Sequence, residues 1–478
     1  MLFLHRHPVE GLRQLPRWTF TMLILYDQLI ITWEERMKNL HSLMIVISCL
    51  SWSSTYAADN STALLQIKSE LLALRLEYEA RIGELEKRLI LAELQVQQAT
   101  DIAGRAITIS EDVATAPGSN SPSALSDFNP SIGVALVGGY HDFGSIGTYS
   151  LPGFQLGEAS GPSNDGLALG ETEINFNANA DDKFFANLTV ALGLEDGEVA
   201  IELEEAYIQS LALPRQLTVT AGRFFSSVGY LNSFHSHSDE FVDRPIAYEV
   251  FLGGQYLDDG FKLSWLAPTA FYLEVGGELL RGNHFPSAGA ANGQGAWTLF
   301  SKIGGDMGIS TSWQAGVSYL STDVVGRVSN ISSGEFYGDS DLFGFDFVIK
   351  WAPLGNPRQR NFKLQGEYFS RDEKGVFDGS EYRGDQVGWY LQGIYQFRTG
   401  WQFGYRYDQL KADNTGVTDT ELDPMGRDLY RNSIVMEWLN SEFSRVRLQY
   451  SRDKSAFDED LLSLEYIINI GAHGAHRF

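Results

Sequence analysis

The chain has 478 residues, a formal net charge of −25, 13% aromatic residues and 48 glycines. Such acidity excludes a nucleic-acid partner, because neutralising phosphates needs clustered Lys and Arg. Beyond residue 60 no apolar run approaches the ~18 residues of a membrane helix, and the single cysteine, Cys49, has no partner for a disulfide.

Met37-Lys38, the apolar run Leu43 to Leu50 and the small residues around Ala57 predict a secretory signal peptide over 37–57. Residues 1–36 then read as an upstream misread extension; Asp27 weakens the reading of 18–33 as a membrane anchor. Cys49 in Val46-Ile47-Ser48-Cys49 offers an alternative lipoprotein site, although a fuller cleavage site follows it. Over 61–100 apolar residues recur at Leu64, Ile67, Leu71, Leu74 and Tyr78, then at Ile82, Leu85, Leu89, Ala92 and Val96. Steps of three and four with one stutter predict a coiled coil about 50 Å long. One helix cannot bury that seam alone, so self-association follows, most plausibly as a homotrimer. Residues 101–130, rich in Ala, Ser, Pro and Gly towards their end, read as a linker.

From 131 to 478 the period becomes two. Phe184, Ala186, Leu188, Val190 and Leu192 alternate with polar or small residues, as do Phe343, Phe345, Phe347, Ile349 and Trp351, and Trp401, Phe403, Tyr405 and Tyr407. Aromatics crowd strand ends, and short turns alternate with longer polar loops, including 141–166, 226–258, 282–294, 322–340, 372–384 and 411–427. These features predict an all-β fold, a transmembrane antiparallel β-barrel of about sixteen strands, apolar towards outer-membrane lipid and wet within. The parity of strands makes 226–258 one excursion, the third long loop, although Ile246 to Leu252 has strand propensity.

With the apolar face towards lipid, Glu171, Glu173, Glu202, Glu204, Glu274 and Glu278 point into the lumen from earlier strands. Lys350, Lys363, Arg371, Arg406, Arg445 and Arg447 do so from later ones. Segregated acids and bases would set up a transverse field favouring small polar solutes or ions; alternatively the charges pair locally. In the third loop His235, His237 and Asp239 share one side of an extended segment, two imidazoles and a carboxylate, a ligand set that zinc accepts. No other cofactor is implied. No GxSxG elbow or P-loop is present, and Glu204 and Glu205, being adjacent, are expected on opposite faces of a strand, so no enzyme activity is expected.

The final segment alternates through Leu462, Leu464, Tyr466, Ile468 and Ile470 to the terminal Phe478, with His476 at a position usually Tyr or apolar, and resembles the C-terminal signature of bacterial outer-membrane barrels. The runs Glu202-Leu-Glu-Glu-Ala-Tyr-Ile-Gln209, Ala221-Gly-Arg-Phe-Phe225, Gly229-Tyr-Leu-Asn232 and Ser264-Trp-Leu-Ala-Pro268 resemble a gammaproteobacterial outer-membrane family. Its members often carry the label of a zinc-regulated TonB-dependent receptor. The general plan is similar to phosphate-selective porins, a periplasmic coiled coil joined to a sixteen-stranded trimeric barrel, without that group's Lys and Arg ladders. The resemblance to porins implies a third loop folded into the barrel. The expectation is a porin-like outer-membrane channel for small polar solutes or ions, linked to zinc or metal supply. The alternatives are a metal receptor using the third loop and a structural protein tethering the envelope.

Overall fold

The computed structural model describes residues 130–471 apart from 144–148, 158–159, 162–164, 196–197, 290–292, 330–331, 442 and 457. The signal peptide, coiled coil and linker expected before residue 130, and the terminal Phe478, lie outside the described residues.

The described chain forms one antiparallel sheet of β1 (Ser131–Asp142), β2 (Gly166–Leu169), β3 (Thr172–Asn179), β4 (Phe184–Glu195), β5 (Glu198–Ser210), β6 (Leu217–Phe225), β7 (Leu257–Leu266), β8 (Tyr272–Leu280), β9 (Ala296–Met307), β10 (Thr311–Ser329), β11 (Ser332–Trp351), β12 (Asn361–Phe377), β13 (Ser380–Arg398), β14 (Trp401–Thr415), β15 (Leu429–Ser441), β16 (Ser444–Asp453) and β17 (Glu459–Gly471). From β3 onward each strand pairs with the next, and β1 pairs with β2, β3 and β17, so the sheet closes on itself. Closure leaves no open edge. Both β2 and β3 pair with β1, with Gly138 opposite Leu169 and Ala135 opposite Glu173, a register offset of one residue. They are two halves of one strand broken by a bulge at Gly170-Glu171, so the barrel has sixteen strands.

Alternation sets the outer surface. Phe343, Phe345, Tyr395, Phe403, Tyr405, Leu448, Leu464 and Tyr466 are all exposed on its outside, an apolar belt of the kind a bilayer covers. Trp401 stacks on Trp438 at the short-turn end, with ring centroids 6.0 Å apart.

Two of the expected long loops are largely strand, and a third begins as strand. β10 and β11 run on to Ser329 and Ser332, β12 and β13 to Phe377 and Ser380, and β14 to Thr415. At the β12–β13 tip, Asp378 and Gly379 take φ of 48° and 81°, two positive values in the manner of a type I′ hairpin turn that matches strand twist. The extensions persist because Val324, Phe336, Phe377 and Tyr382 turn inward and pack with Val417 and Leu422.

The interior also departs from a uniformly wet lumen. Leu320, Leu342, Phe369, Tyr390 and Leu410 face inward from β10–β14 and form one cluster with Leu151, Phe154 and Leu156 of the first loop and with α1 (Ile246–Leu252) of the third. The segment 246–252 is therefore helical despite its strand propensity. Seven residues make too few turns to stand alone; all seven are buried, and Gly253 at φ 63° ends the helix with its N–H on the Tyr248 carbonyl. Close approach of α1 to the wall depends on Gly388, where a Cβ would stand 2.6 Å from Leu410 and 2.7 Å from Phe251. Gly388→Val should cost about 1–3 kcal/mol through overpacking, read as a lower denaturant midpoint of the refolded barrel; an unchanged midpoint would refute the docking of α1 on β13.

Candidate functional site

The third loop, 226–256, crosses the lumen, and its sequence order decides which wall each part meets. Its base is closed by Asn232, whose Nδ2 donates to the carbonyls of Ser226 and Tyr256 and whose Oδ1 accepts from the Tyr256 N–H, each at 2.8 Å. Near the base, Glu278 of β8 accepts from Ser226 Oγ at 2.6 Å and the Ser227 N–H at 2.9 Å.

Next comes the histidine segment, which meets the acidic wall. His235 Nδ1 lies 2.9 Å from Glu173 and 3.4 Å from Glu204, and its Nε2 lies 3.3 Å from Glu205. His237 Nδ1 lies 2.7 Å from the other oxygen of Glu173, and the two imidazoles stack with centroids 5.7 Å apart. Glu204 and Glu205 reach the same ring because β5 is bulged: Thr189 pairs with Glu205 and Val190 with Leu203, leaving Glu204 as the extra residue. The expectation that these neighbours take opposite faces is thus corrected. An unbulged strand alternates; a bulge turns two successive side chains inward. The signal is present in the sequence as a parity slip, the outward apolar residues being Val199, Ile201 and Leu203 before the bulge and Ile208 after it.

Beyond the histidines the loop carries acids to the basic wall. Glu240 accepts from Lys363 Nζ at 2.6 Å. Asp243 accepts from Arg406 Nη2 at 3.0 Å and from Arg431 Nη1 at 2.6 Å. Burial would raise the Asp243 carboxyl, but the two guanidiniums outweigh it and hold the group down at about 2. Arg447 donates to the main-chain carbonyls of Asp239 and Phe241, and Arg371 Nη1 to that of Val250 at 3.0 Å. A further anchor is Glu367 of β12, which accepts from the N–H groups of Tyr230 and Leu231 at 2.9 and 3.0 Å and from the hydroxyls of Tyr248 and Tyr390.

Asp239 does not share a face with the two histidines, because Ser236–Ser238 form a 3-10 turn in place of an extended segment. It pairs with Arg244 at 3.0 Å instead. Of the other residues assigned to the lumen, Glu171, Glu202 and Glu204 line a cavity of about 270 Å³ on the long-loop side of the histidine segment. Glu173, Glu205, Lys363 and Arg445 line one of about 850 Å³ that opens at the short-turn end. Glu274 stands opposite Lys302 in the sheet and Lys350 opposite Lys363.

The basic side is locally paired. Arg371 lies 3.4 Å from Glu373, Arg406 2.9 Å from Asp408 and Arg445 3.7 Å from Glu437, while Arg447 pairs with Glu465. On the acidic side Glu173, Glu204 and Glu205 meet the two imidazoles, and Glu171 and Glu202 line the adjoining cavity, so carboxylates outnumber imidazoles. Excess charge therefore sits on the β3–β5 wall. Glu367 and Arg431, absent from the sequence reading, were visible in principle: Glu367 keeps the inward register of Lys363 and Arg371.

Burial alone would lower the pKa of His235, but its close contacts with the carboxylates of Glu173, Glu204 and Glu205 outweigh it and raise the value well above 6.5. A raised value means that the histidine clamp is at full strength below pH 6.5 and is lost as pH rises through the folded-state value. Alkaline pH should therefore make the third loop more open to protease, and His235→Gln should remove that pH dependence; the same protease profile with pH in both proteins would refute the assignment.

No family model matches the chain. Among solved structures it is similar to the outer membrane channel DcaP of Acinetobacter baumannii, at 12% identity and a TM-score of 0.47 over 72% of this chain and 96% of that one. It is similar also to OmpTdeltaL8, a loop L8 deletion mutant of an outer membrane protein of Vibrio cholerae, at 12% identity and a TM-score of 0.45 over 72% and 99%. Salmonella typhi OmpF, solved in complex with daunomycin, aligns at 10% identity and a TM-score of 0.45 over 71% and 97%. In sequence it is 30% identical over 340 residues to an uncharacterized protein of Aquifex aeolicus (strain VF5), 66% of this chain and 70% of that one. The chain belongs to the family of that Aquifex protein.

Proposed function

We propose that this protein is an outer-membrane, porin-like channel for passive diffusion of small polar solutes or ions, narrowed at mid-lumen by its third loop and selective for cations. A closed barrel with an apolar belt suits residence in the outer membrane, with the short turns and the 850 Å³ cavity on the periplasmic side. The observation that carries the reading is the pair of polar-lined cavities on either side of the histidine segment, 235–240, within one closed wall. Excess carboxylate on β3–β5 raises local cation concentration, whereas the basic wall is answered by its own acids.

The homotrimer and the periplasmic coiled coil belong to the same proposal. A tethering protein would have the same belt without conducting. Single-channel recording of the purified, refolded chain separates the two.

The recordings should show discrete, cation-selective steps, and Glu171→Gln with Glu202→Gln should move the reversal potential towards zero. Absence of conductance in the wild-type chain would contradict the channel reading, and an unmoved reversal potential would contradict the acidic wall as the selectivity element. Glu367→Ala removes the acceptor of four donors, at about 1–3 kcal/mol for each one left unsatisfied. It should loosen the third loop and raise the open-channel current; an unchanged current would show that Glu367 does not set the constriction.

A further inference from the structure

Glu173, Glu204 and His235 each offer one ligand atom, and the three atoms lie within 4.8 Å of one another. Glu204 is 6% exposed, and both its Oε2 and the His235 Nδ1 are buried without a hydrogen-bond partner. Their contacts, 3.4 Å to each other and 2.9 Å from Nδ1 to Glu173 Oε2, are close enough for attraction but are not aligned as hydrogen bonds. Two lone-pair-bearing oxygens and a ring nitrogen thus converge on one point. His237 takes the other oxygen of Glu173 and so orients the carboxylate, as an outer-sphere partner orients a metal ligand.

We propose that Glu173, Glu204 and His235 bind a divalent cation of the borderline class, and that the bound cation clamps the third loop to the acidic wall. One imidazole and two carboxylates suit a small ion of the zinc type, which takes three protein ligands and leaves a fourth position open. Calcium, with its six to eight oxygen ligands, is a poorer match. The ligands come from β3, β5 and the third loop, so occupancy joins three segments that are far apart in sequence. Because Glu204 lines the outer cavity while Glu173 and His235 line the inner one, the cation sits where the two meet. The clamp rests on the channel reading; the binding does not.

Isothermal titration of the full-length refolded chain with Zn²⁺ should give one saturable site per chain. Glu204→Gln and His235→Gln should each weaken it by at least roughly tenfold, the lower range for loss of even an outer-sphere partner. Each variant is first checked for folded-barrel mobility on unheated gels. No saturable binding in the wild type, or full binding in both variants, overturns the site, and both results can be read whether or not the barrel conducts. In bilayers, Zn²⁺ should lower the wild-type current and leave the His235→Gln current unchanged; bound Zn²⁺ without an effect on current overturns the clamp.

Discussion

The structure depends on a charge match between one loop and two walls. The third loop carries imidazoles at 235 and 237 and carboxylates at 240 and 243, while the barrel presents acids on β3–β5 and bases on β12–β16. Reversing either order would set like charges against each other at low effective dielectric, where unit charges a few ångströms apart repel by several kcal/mol. Only one direction of crossing fits. Burying Asp243 between Arg406 and Arg431 demands both partners, because removing one side of a buried pair typically costs about 3–5 kcal/mol.

Around that electrostatic strut the apolar contacts are short in range and local. α1 supplies a seven-residue plug of buried side chains, with Phe251 edge-on to Phe154 of the first loop at 6.0 Å and Tyr248 edge-on to Phe369 of the wall at 5.5 Å. Hydrophobic packing holds the helix against the wall, and the charges set which way the loop runs. The two together set the loop between two cavities. On the proposed channel reading, a loop so placed would let the barrel choose by size and charge without binding its cargo tightly.

Much of this was legible in the sequence because barrel physics writes itself in period two. Outward Phe343, Phe345 and Phe347, and the alternation of short and long connections, are enough for sixteen strands and for treating 226–258 as one excursion. What the sequence hid was set by contacts between distant segments. The helicity of 246–252 comes from burial against β12–β14, which overrides strand propensity. Asp239 turned to Arg244 because a 3-10 turn broke the extended spacing, and Glu205 joined the site because a bulge broke the alternation. Inward apolar residues such as Leu320, Phe369 and Leu410 sit among polar neighbours with nothing local to say that another loop will cover them.

The most direct test of the account is whether the third loop lies inside the barrel. In the full-length chain, Ala247→Cys places a thiol at a position that is 0% exposed on the inner side of α1. The account predicts that a water-soluble thiol reagent modifies it only after denaturation. Rapid modification in the folded barrel would place the loop outside the lumen and contradict the charge match from which the rest follows.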